Sequence, residues 1–312
     1  MAHKVEMAHI PVLLEEALHY LNVISGGVYV DCTGGGGGHS AAILEKINEG
    51  RLIILDRDPD ACERLFIRFK GVPNVDIIND NFSNIEKILD SMGLKANGIL
   101  ADFGVSSFQI SNTGRGFSFR YDEPLDMRMD KKTDLSAYDV VNNLSQETLE
   151  NIIKKYGEDP FAKRIAYVIV KYRNLKKITT TKELAEIIAN AVPVKFHKKG
   201  IHPATRTFQA IRIFVNKELE AIESLLKSLE NILVSKGRGV FISFHSLEDR
   251  MVKDFLNYYA KQCICPPGQP ICTCGKKQTF KVLTKKPVLP SKDEVIKNPY
   301  SRSAKLRAGE RV

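Results

Sequence analysis

Residues 28 to 58 read VYVDCTGGGGGHSAAILEKINEGRLIILDRD. A short apolar run ends in an acid, Asp31, breaks into consecutive glycines from Gly34 to Gly38, and resumes as a helix-like segment from Ser40. A second apolar run over 52 to 55 ends in Asp56. Strand, tight loop, helix and strand in that order make a βαβ unit, with the glycine turn at the carboxyl end of its first strand, where open parallel sheets bind ligands. The spacing therefore predicts an α/β protein with a mostly parallel, doubly wound sheet.

The physics of the loop points to a nucleotide-like ligand without choosing one. Glycines reach positive φ and let backbone approach a ligand closely, and the helix that follows presents free N–H groups to an anion. The stretch Gly35, Gly36, Gly37, Gly38 and His39 is the candidate cradle, and Asp56, about 20 residues on, can accept hydrogen bonds from ribose hydroxyls. A dinucleotide fingerprint counted from Gly34 meets His39 where it wants its third glycine. The pattern for S-adenosylmethionine (SAM) asks for an acid and then glycines two apart, which Asp31, Gly35 and Gly37 supply. SAM is preferred to NAD on this spacing, with a plain glycine-rich turn as the bland alternative.

With 312 residues, 43% of them hydrophobic, the chain has room for two domains with buried cores, which excludes a disordered chain. The formal charge of +9 and the clustering of basic residues favour a polyanion partner over an ordinary basic surface. No apolar run approaches about 18 residues and the first residues lack a signal-peptide pattern, so a cytoplasmic protein with no membrane partner is expected. Six cysteines in this length do not make a disulfide scaffold.

Around the βαβ unit, residues 9 to 21 predict an amphipathic helix with Leu13, Leu14, Ala17, Leu18 and Leu21 on one side, a packing helix over the sheet. His9 before it faces either the substrate or nothing in particular. A helix over 59 to 69, a strand over 75 to 78, and a further helix and strand over 98 to 101 continue the pattern. Phe82 and Asp102 follow the second and third strand tips on the glycine-loop edge. Phe82 is placed to stack on an adenine or to pack in the core, and Asp102 to sit beside the reacting group or to cap a helix.

From Gly104 to Asp130 the βα pattern stops. A loop this long is usually functional or disordered, and its aromatic residues argue against disorder. Helical periodicity then runs from 137 to 192, with Leu149, Ile152, Ile153 and Tyr156 on one face and a capping box at Thr180 and Glu183. An all-α insertion over 113 to 206 is expected, within a parent domain made of 1 to 112 and 207 to 312. Positive charge concentrates on it, at Lys154, Lys155, Lys163, Arg164, Lys171, Arg173, Lys176, Lys177, Lys195, Lys198 and Lys199. This is either a solvated surface or a set of phosphate contacts that would position a nucleic acid without reading its sequence.

A long helix from His202 to Leu233 is expected to return the chain to the sheet, followed by a strand over 239 to 244. His245 and Ser246 stand at its tip, but no glycine elbow surrounds the serine, which speaks against nucleophilic catalysis. Two Cys-x-Cys pairs, Cys263 with Cys265 and Cys272 with Cys274, flank a Pro-Gly turn. They offer four thiolates to one zinc, or remain reduced thiols, or form disulfides. Cys32 and Cys62 read as small buried residues. The last residues, from Asn298, read as a short basic tail.

Taken together, HIPVLL (9–14), DCTGGGGGHS (31–40), LDRD (55–58), DFGVSS (102–107), RGFSF (115–119), PLDMRMD (124–130), YGED (156–159), FAKRIA (161–166), TKELAE (181–186), HPATRTFQAIRIFVN (202–216), ISFHSLEDR (242–250) and SRSAKLR (301–307) resemble, in order, the bacterial MraW/RsmH methyltransferases. The resemblance runs over nearly the whole chain. Tyr300 stands where that family usually has Arg, and the cysteine segment is not general to it.

The resemblance implies a class I SAM-dependent methyltransferase fold with a helical insertion for RNA substrate recognition. It implies methylation of the exocyclic N4 of a cytidine in 16S rRNA at the decoding centre, with rRNA or the small ribosomal subunit as partner. Carried over motif by motif, cofactor contacts fall on Gly37, Gly38, His39, Asp56, Phe82, Asp102 and Gln109. An exocyclic amino nitrogen is a poor nucleophile because its lone pair is delocalised into the ring. The enzyme must align sulfur, methyl and nitrogen, worth about 7–11 kcal/mol, and accept a hydrogen bond from the amino group. Asp102 is the first candidate acceptor and His245 with Ser246 the second. The cytidine must be unpaired or flipped out, at a cost of a few kcal/mol. Many amino methyltransferases carry Asp/Asn-Pro-Pro-aromatic where this chain has Asp-Phe-Gly-Val, so their mechanism does not transfer. An NAD-dependent oxidoreductase, a non-catalytic RNA-binding protein, and a DNA or protein methyltransferase are the competing readings.

Overall fold

A computed structural model describes residues 11–111, 114–197, 200–267, 269 and 271–312; His9, Lys198 and Lys199 lie outside them. The chain divides into two compact units, one running to Gly104 and resuming over Leu219–Val312, the other Val105–Glu218.

The first unit begins with α1 (Leu14–Leu21), then β1 (Val28–Asp31), α2 (Gly38–Ile47), β2 (Arg51–Asp56), α3 (Pro59–Arg68), β3 (Val75–Asn79), α4 (Ile85–Ser91) and β4 (Ala96–Asp102). Each strand is followed by a helix, so neighbouring strands pair in parallel, as in Val28↔Arg51 and Tyr29↔Gly98. In β2 the residues Leu52, Ile53, Ile54 and Leu55 are all fully buried. Ile53 and Leu55 enter one core, with Ile99 and Phe241; Leu52 and Ile54 enter the other, with Leu21 of α1 and Tyr29. A strand covered on both faces reads as an unbroken apolar run.

The second unit contains α5 (Ser107–Ser111), α6 (Ala137–Asn143), α7 (Gln146–Gly157), α8 (Ala162–Arg173), α9 (Thr181–Ala191) and α10 (Thr205–Asn216). Ser136, Ser145 and Thr180 cap α6, α7 and α9 through their hydroxyls. The irregular stretch before α6 is held inside this unit: Leu125, Met127 and Met129 are buried, Arg115 donates to the carbonyls of Arg128 and Met129, and Asn216 Nδ2 donates to Met127 O at 2.7 Å. The unit therefore runs wider than the 113–206 expected, because α10 packs on α7, with Gln209 Nε2 donating to Tyr156 O at 3.1 Å. The single helix expected over 202 to 233 is two, broken at Lys217, whose φ of 49° lies in the left-handed region.

The chain then continues through α11 (Glu218–Ile232), β5 (Leu233–Ser243), α12 (Ser246–Tyr259), β6 (Phe280–Val282), α13 (Lys292–Lys297) and β7 (Lys305–Arg311). The sheet order is β3-β2-β1-β4-β5-β7-β6, with β7 antiparallel to both neighbours. The residues that read as a basic tail are thus an inner strand. Leu306 and Ala308 of β7 are fully buried, and the buried Arg307 is matched by Asp249 of α12, Nε to Oδ1 at 2.5 Å. Among the described residues no helix is long and apolar enough to cross a membrane.

Candidate active site

In this sheet β1 lies between β2 and β4, and the strand order reverses there, which opens a crevice at the carboxyl ends of β1 and β4. The side chains at those ends are Asp31 of β1, Asp56 of β2, Asp102 of β4 and Ser243 of β5. Register sets them side by side: Asp31 pairs with Leu100 and Asp102 with Ile242.

The loop after β1 is tied down at each turn. Gly34 N–H donates to Leu55 O at 2.9 Å and Gly37 N–H to Gly34 O at 2.7 Å. Gly37, at φ 74°, precedes the first turn of α2 and has no side chain with which to cap it. At Gly34 a Cβ would fall 2.5 Å from Ile54 and 2.6 Å from Leu65, so the loop can lie this close to β2 only without a side chain. Asp31 anchors the far side. Its Oδ2 accepts from Ser40 Oγ at 2.5 Å and its Oδ1 from Thr33 N–H at 3.1 Å. Burial raises the Asp31 carboxyl above its ordinary range, partly offset by these bonds. Arg68 of α3 donates to Gly36 O at 2.6 Å and closes the loop from outside.

Asp56 reaches back to the same loop. Its Oδ2 accepts from Gly35 N–H and its Oδ1 from Asp58 N–H, both at 2.8 Å. Burial pushes its carboxyl up to about 6 despite those bonds. The first turn of α2, begun at a glycine, and this acid offer what a nucleoside carrying a carboxylate needs: N–H groups for the anion and an acceptor for ribose hydroxyls.

At the end of β4, Asp102 donates its backbone N–H to Thr33 Oγ1 at 2.7 Å. The residue is only partly buried, yet its Oδ1 is sealed from solvent and has no hydrogen-bond partner among the described residues. Burial, and then the nearby charges of Asp31 and Glu248, hold the carboxyl well above its ordinary range. Beside it on β5 the buried Ser243 Oγ also lacks a partner among the described residues. A buried polar atom without a partner is a candidate for a bond to a ligand, and these two stand on adjacent strand tips.

The remaining candidates fall in different places. Phe82 packs tilted on Phe103, ring centroids 5.9 Å apart, and Phe103 stacks on Phe241, so one side of Phe82 belongs to the core. His39 is buried with Nε2 3.0 Å from Val12 O; a carbonyl only accepts, so Nε2 carries the proton. Burial lowers its pKa to about 4 and keeps the ring neutral. Gln109 sits on α5 of the helical unit, its Oε1 accepting from Ser106 N–H at 3.0 Å. His245 is the N-cap of α12, with Nε2 3.1 Å from Glu248 Oε1 but without the alignment of a hydrogen bond. Ser246, one residue on, is exposed.

Of the basic residues, Arg173 is engaged at home: it donates to Val141 O at 2.7 Å and to Leu144 O at 2.5 Å, tying α8 to the end of α6. Lys154, Lys155, Lys163, Arg164, Lys171, Lys176, Lys177 and Lys195 are exposed. Sequence reasoning passed over Thr33, Ser40 and Ser243; only Asp31, the acid at a strand end, carried a signal.

A seven-stranded sheet in this order with an antiparallel β7, a glycine loop after β1 and acids at the tips of β1, β2 and β4 define a class I SAM-dependent methyltransferase fold. The model of the MraW methylase family matches residues 6–312, and the chain belongs to that family. The chain is 51% identical over 306 residues to the "Ribosomal RNA small subunit methyltransferase H" of Caldicellulosiruptor bescii, covering 97% of this chain and 99% of that one. It is 50% identical over 309 residues to the protein of the same name from Clostridium botulinum, covering 98% and 100%. A solved rRNA methylase structure from Streptococcus thermophilus is similar at a TM-score of 0.42 and 10% identity, over 98% of this chain and 99% of that one.

Proposed function

We propose that this methyltransferase transfers the methyl group of SAM to the exocyclic N4 of a cytidine in 16S rRNA, at the decoding centre. The observation that carries the chemistry is the sealed, unpartnered Oδ1 of Asp102 at the strand tip bonded to the glycine loop. Relatives about half identical in sequence carry the name of a small-subunit rRNA methyltransferase, which supports the substrate class. The order of motifs resembling the MraW/RsmH enzymes supports the cytidine N4.

The residues present fit SAM. The start of α2, with Gly35, Gly36, Gly37, Gly38 and His39, would take its carboxylate end. Asp56 would take the ribose hydroxyls and Phe82 one face of the adenine. When bound, SAM supplies a methyl group on a cationic sulfonium.

Asp102 then has two tasks. Its Oδ1 accepts a hydrogen bond from the amino group and draws the lone pair onto nitrogen. The nitrogen that takes the methyl group, whose bond to sulfur would break with its electron pair left on the neutral thioether, would carry one proton too many, and the same carboxylate would take it. A carboxyl held high by burial is a better base than an exposed one, and positive charge brought into the site favours its ionised form. Ser243 Oγ, buried and unpartnered at the adjacent tip, is placed to hold the second hydrogen or the ring edge. His245 and Ser246 are the second candidates, with His245 committed to the cap of α12.

Support for an RNA acceptor comes from α8. Lys163, Tyr167 and Lys171 are exposed at i, i+4 and i+8, one face of the helix, with Arg164 beside them. An exposed tyrosine between cations suits an unpaired base next to phosphates. The test is incubation of the protein with labelled SAM and small ribosomal subunits lacking the modification, followed by nucleoside analysis. Label in N4-methylcytidine is the expected result. Label in DNA or protein, with none in rRNA, would replace the acceptor by the alternative reading.

A further inference from the structure

About 20 residues without regular structure connect α12 to β6, a length that a compact domain rarely leaves without some fastening. Its apolar residues Ile264 and Ile271 are exposed rather than packed together. What it brings together is sulfur. Cys263 Sγ lies 3.5 Å from Cys272 Sγ and 3.8 Å from Cys274 Sγ; Cys272 Sγ lies 3.5 Å from Cys274 Sγ and 3.9 Å from Cys265 Sγ. All four sulfurs lie within 4.8 Å of one another.

These separations decide between the chemistries open to four thiols. A disulfide needs sulfurs about 2.05 Å apart, and none of the four is so paired. Four thiolates at about 2.3 Å from a tetrahedral zinc stand about 3.8 Å from one another. A polynuclear iron–sulfur cage would force its thiolates farther apart. The observed edges match a single tetrahedral ion.

The backbone supports the same reading. Ile264 N–H points at Cys274 Sγ (3.4 Å) and Cys265 N–H at Cys263 Sγ (3.3 Å), so backbone donors of the first arm reach one sulfur of each pair. Such donors stabilise thiolate charge around a metal. Four thiolates and a divalent ion leave two negative charges, and Lys276 and Lys277 follow directly in sequence. Lys276 also lies over the rings of Tyr258 and Tyr259, 4.3 and 4.8 Å from their centroids, which fastens the knuckle to the end of α12.

We propose that Cys263, Cys265, Cys272 and Cys274 bind one zinc ion in a closed tetrathiolate site. With four protein ligands and no open position it is structural, and it organises the connection into β6, the outermost strand of the sheet. It is separate from the methyl-transfer chemistry.

The full chain, purified without metal-affinity steps or chelators, is assayed for metals by mass spectrometry, with Cys272→Ser/Cys274→Ser alongside. One zinc per chain in the wild type and none in the double variant is the expected result. Cobalt loaded into the wild type should give the intense visible bands of a tetrahedral tetrathiolate ion, which tests the site even if the double variant does not fold. Iron in place of zinc, zinc retained by the double variant, or a wild-type protein that keeps no zinc after a stoichiometric addition and shows no such cobalt spectrum would overturn the assignment.

Discussion

Thr33 Oγ1 accepts the backbone N–H of Asp102 at 2.7 Å, and this bond joins the glycine loop after β1 to the tip of β4. It links the two strands on either side of the topological switch, and with them the loop proposed to hold the cofactor and the acid proposed to meet the acceptor. Thr33→Val keeps the shape but leaves a partly buried N–H without its partner, at a cost of about 1–3 kcal/mol. SAM affinity should fall about tenfold in that variant while Thr33→Ser stays within about twofold of wild type. Calorimetric titration of the two variants decides it; equal affinity in both would show that the link carries nothing.

Burial pushes the Asp56 carboxyl up to about 6 although it accepts from the backbone N–H groups of Gly35 and Asp58. Ribose hydroxyls donate to the ionised carboxylate, so binding favours proton release. SAM affinity is therefore expected to rise with pH up to about 6 and level off above it, changing by as much as tenfold per unit below. Asp56→Asn should bind more weakly and lose that inflection. A wild-type affinity that stays flat from about pH 5 to pH 8 would contradict the assignment of Asp56.

His39 makes the opposite demand on the fold. Its pKa is depressed to about 4 from an unfolded value of 6.5, so between these values the unfolded chain binds the proton and the folded chain does not. Its contribution is intact above pH 6.5 and is lost as pH falls toward 4, about 3 kcal/mol in all. Asp56 works against it in part of the same window, its raised carboxyl favouring the fold at low pH. Comparison with His39→Gln isolates the histidine, since the amide still donates to Val12 O and does not titrate. Denaturant titrations should show a shallower pH dependence in the variant; parallel curves would mean the ring titrates in the fold as it does in the unfolded chain.

On α8, Lys163→Glu with Lys171→Glu should weaken RNA binding at least about tenfold and reduce the salt slope by about 1 to 2, because two phosphate contacts are removed. Tyr167→Ala should cost about 1–3 kcal/mol of RNA binding with the salt slope unchanged. SAM affinity should be the same in all of them. Fluorescence anisotropy with an rRNA fragment across salt concentrations reads both quantities. An unchanged slope in the charge-reversal variant would move the RNA surface elsewhere.

The parts of the molecule that were legible in the sequence are those whose signals are local. The runs at β1, β2 and β4 are apolar because both faces are covered, and the glycine loop is written in residues that touch one another in sequence. β7 was read as a tail because its charged residues conceal it: Arg307 is buried only because Asp249 meets it from α12, a partner 58 positions away. The break at Lys217 had no glycine to announce it. Asp102 could be picked as an acid at a strand tip. That its Oδ1 stands sealed, with the charges of Asp31 and Glu248 near it, depends on residues 71 and 146 positions away, which no spacing rule encodes. His39 carries the same lesson, since its bond to Val12 spans 27 positions.

The central claim is that Asp102 receives hydrogen from the acceptor nitrogen. Single-turnover methyl transfer to unmodified small subunits, at SAM concentrations saturating for each protein, tests it most directly in wild type and Asp102→Asn. The asparagine keeps the size and the backbone bond to Thr33 but cannot take a proton. A rate lowered by a factor of about 10² to 10⁴ at full cofactor occupancy is the predicted result. A rate within a few-fold of wild type would contradict the account and shift the role to His245 or to solvent.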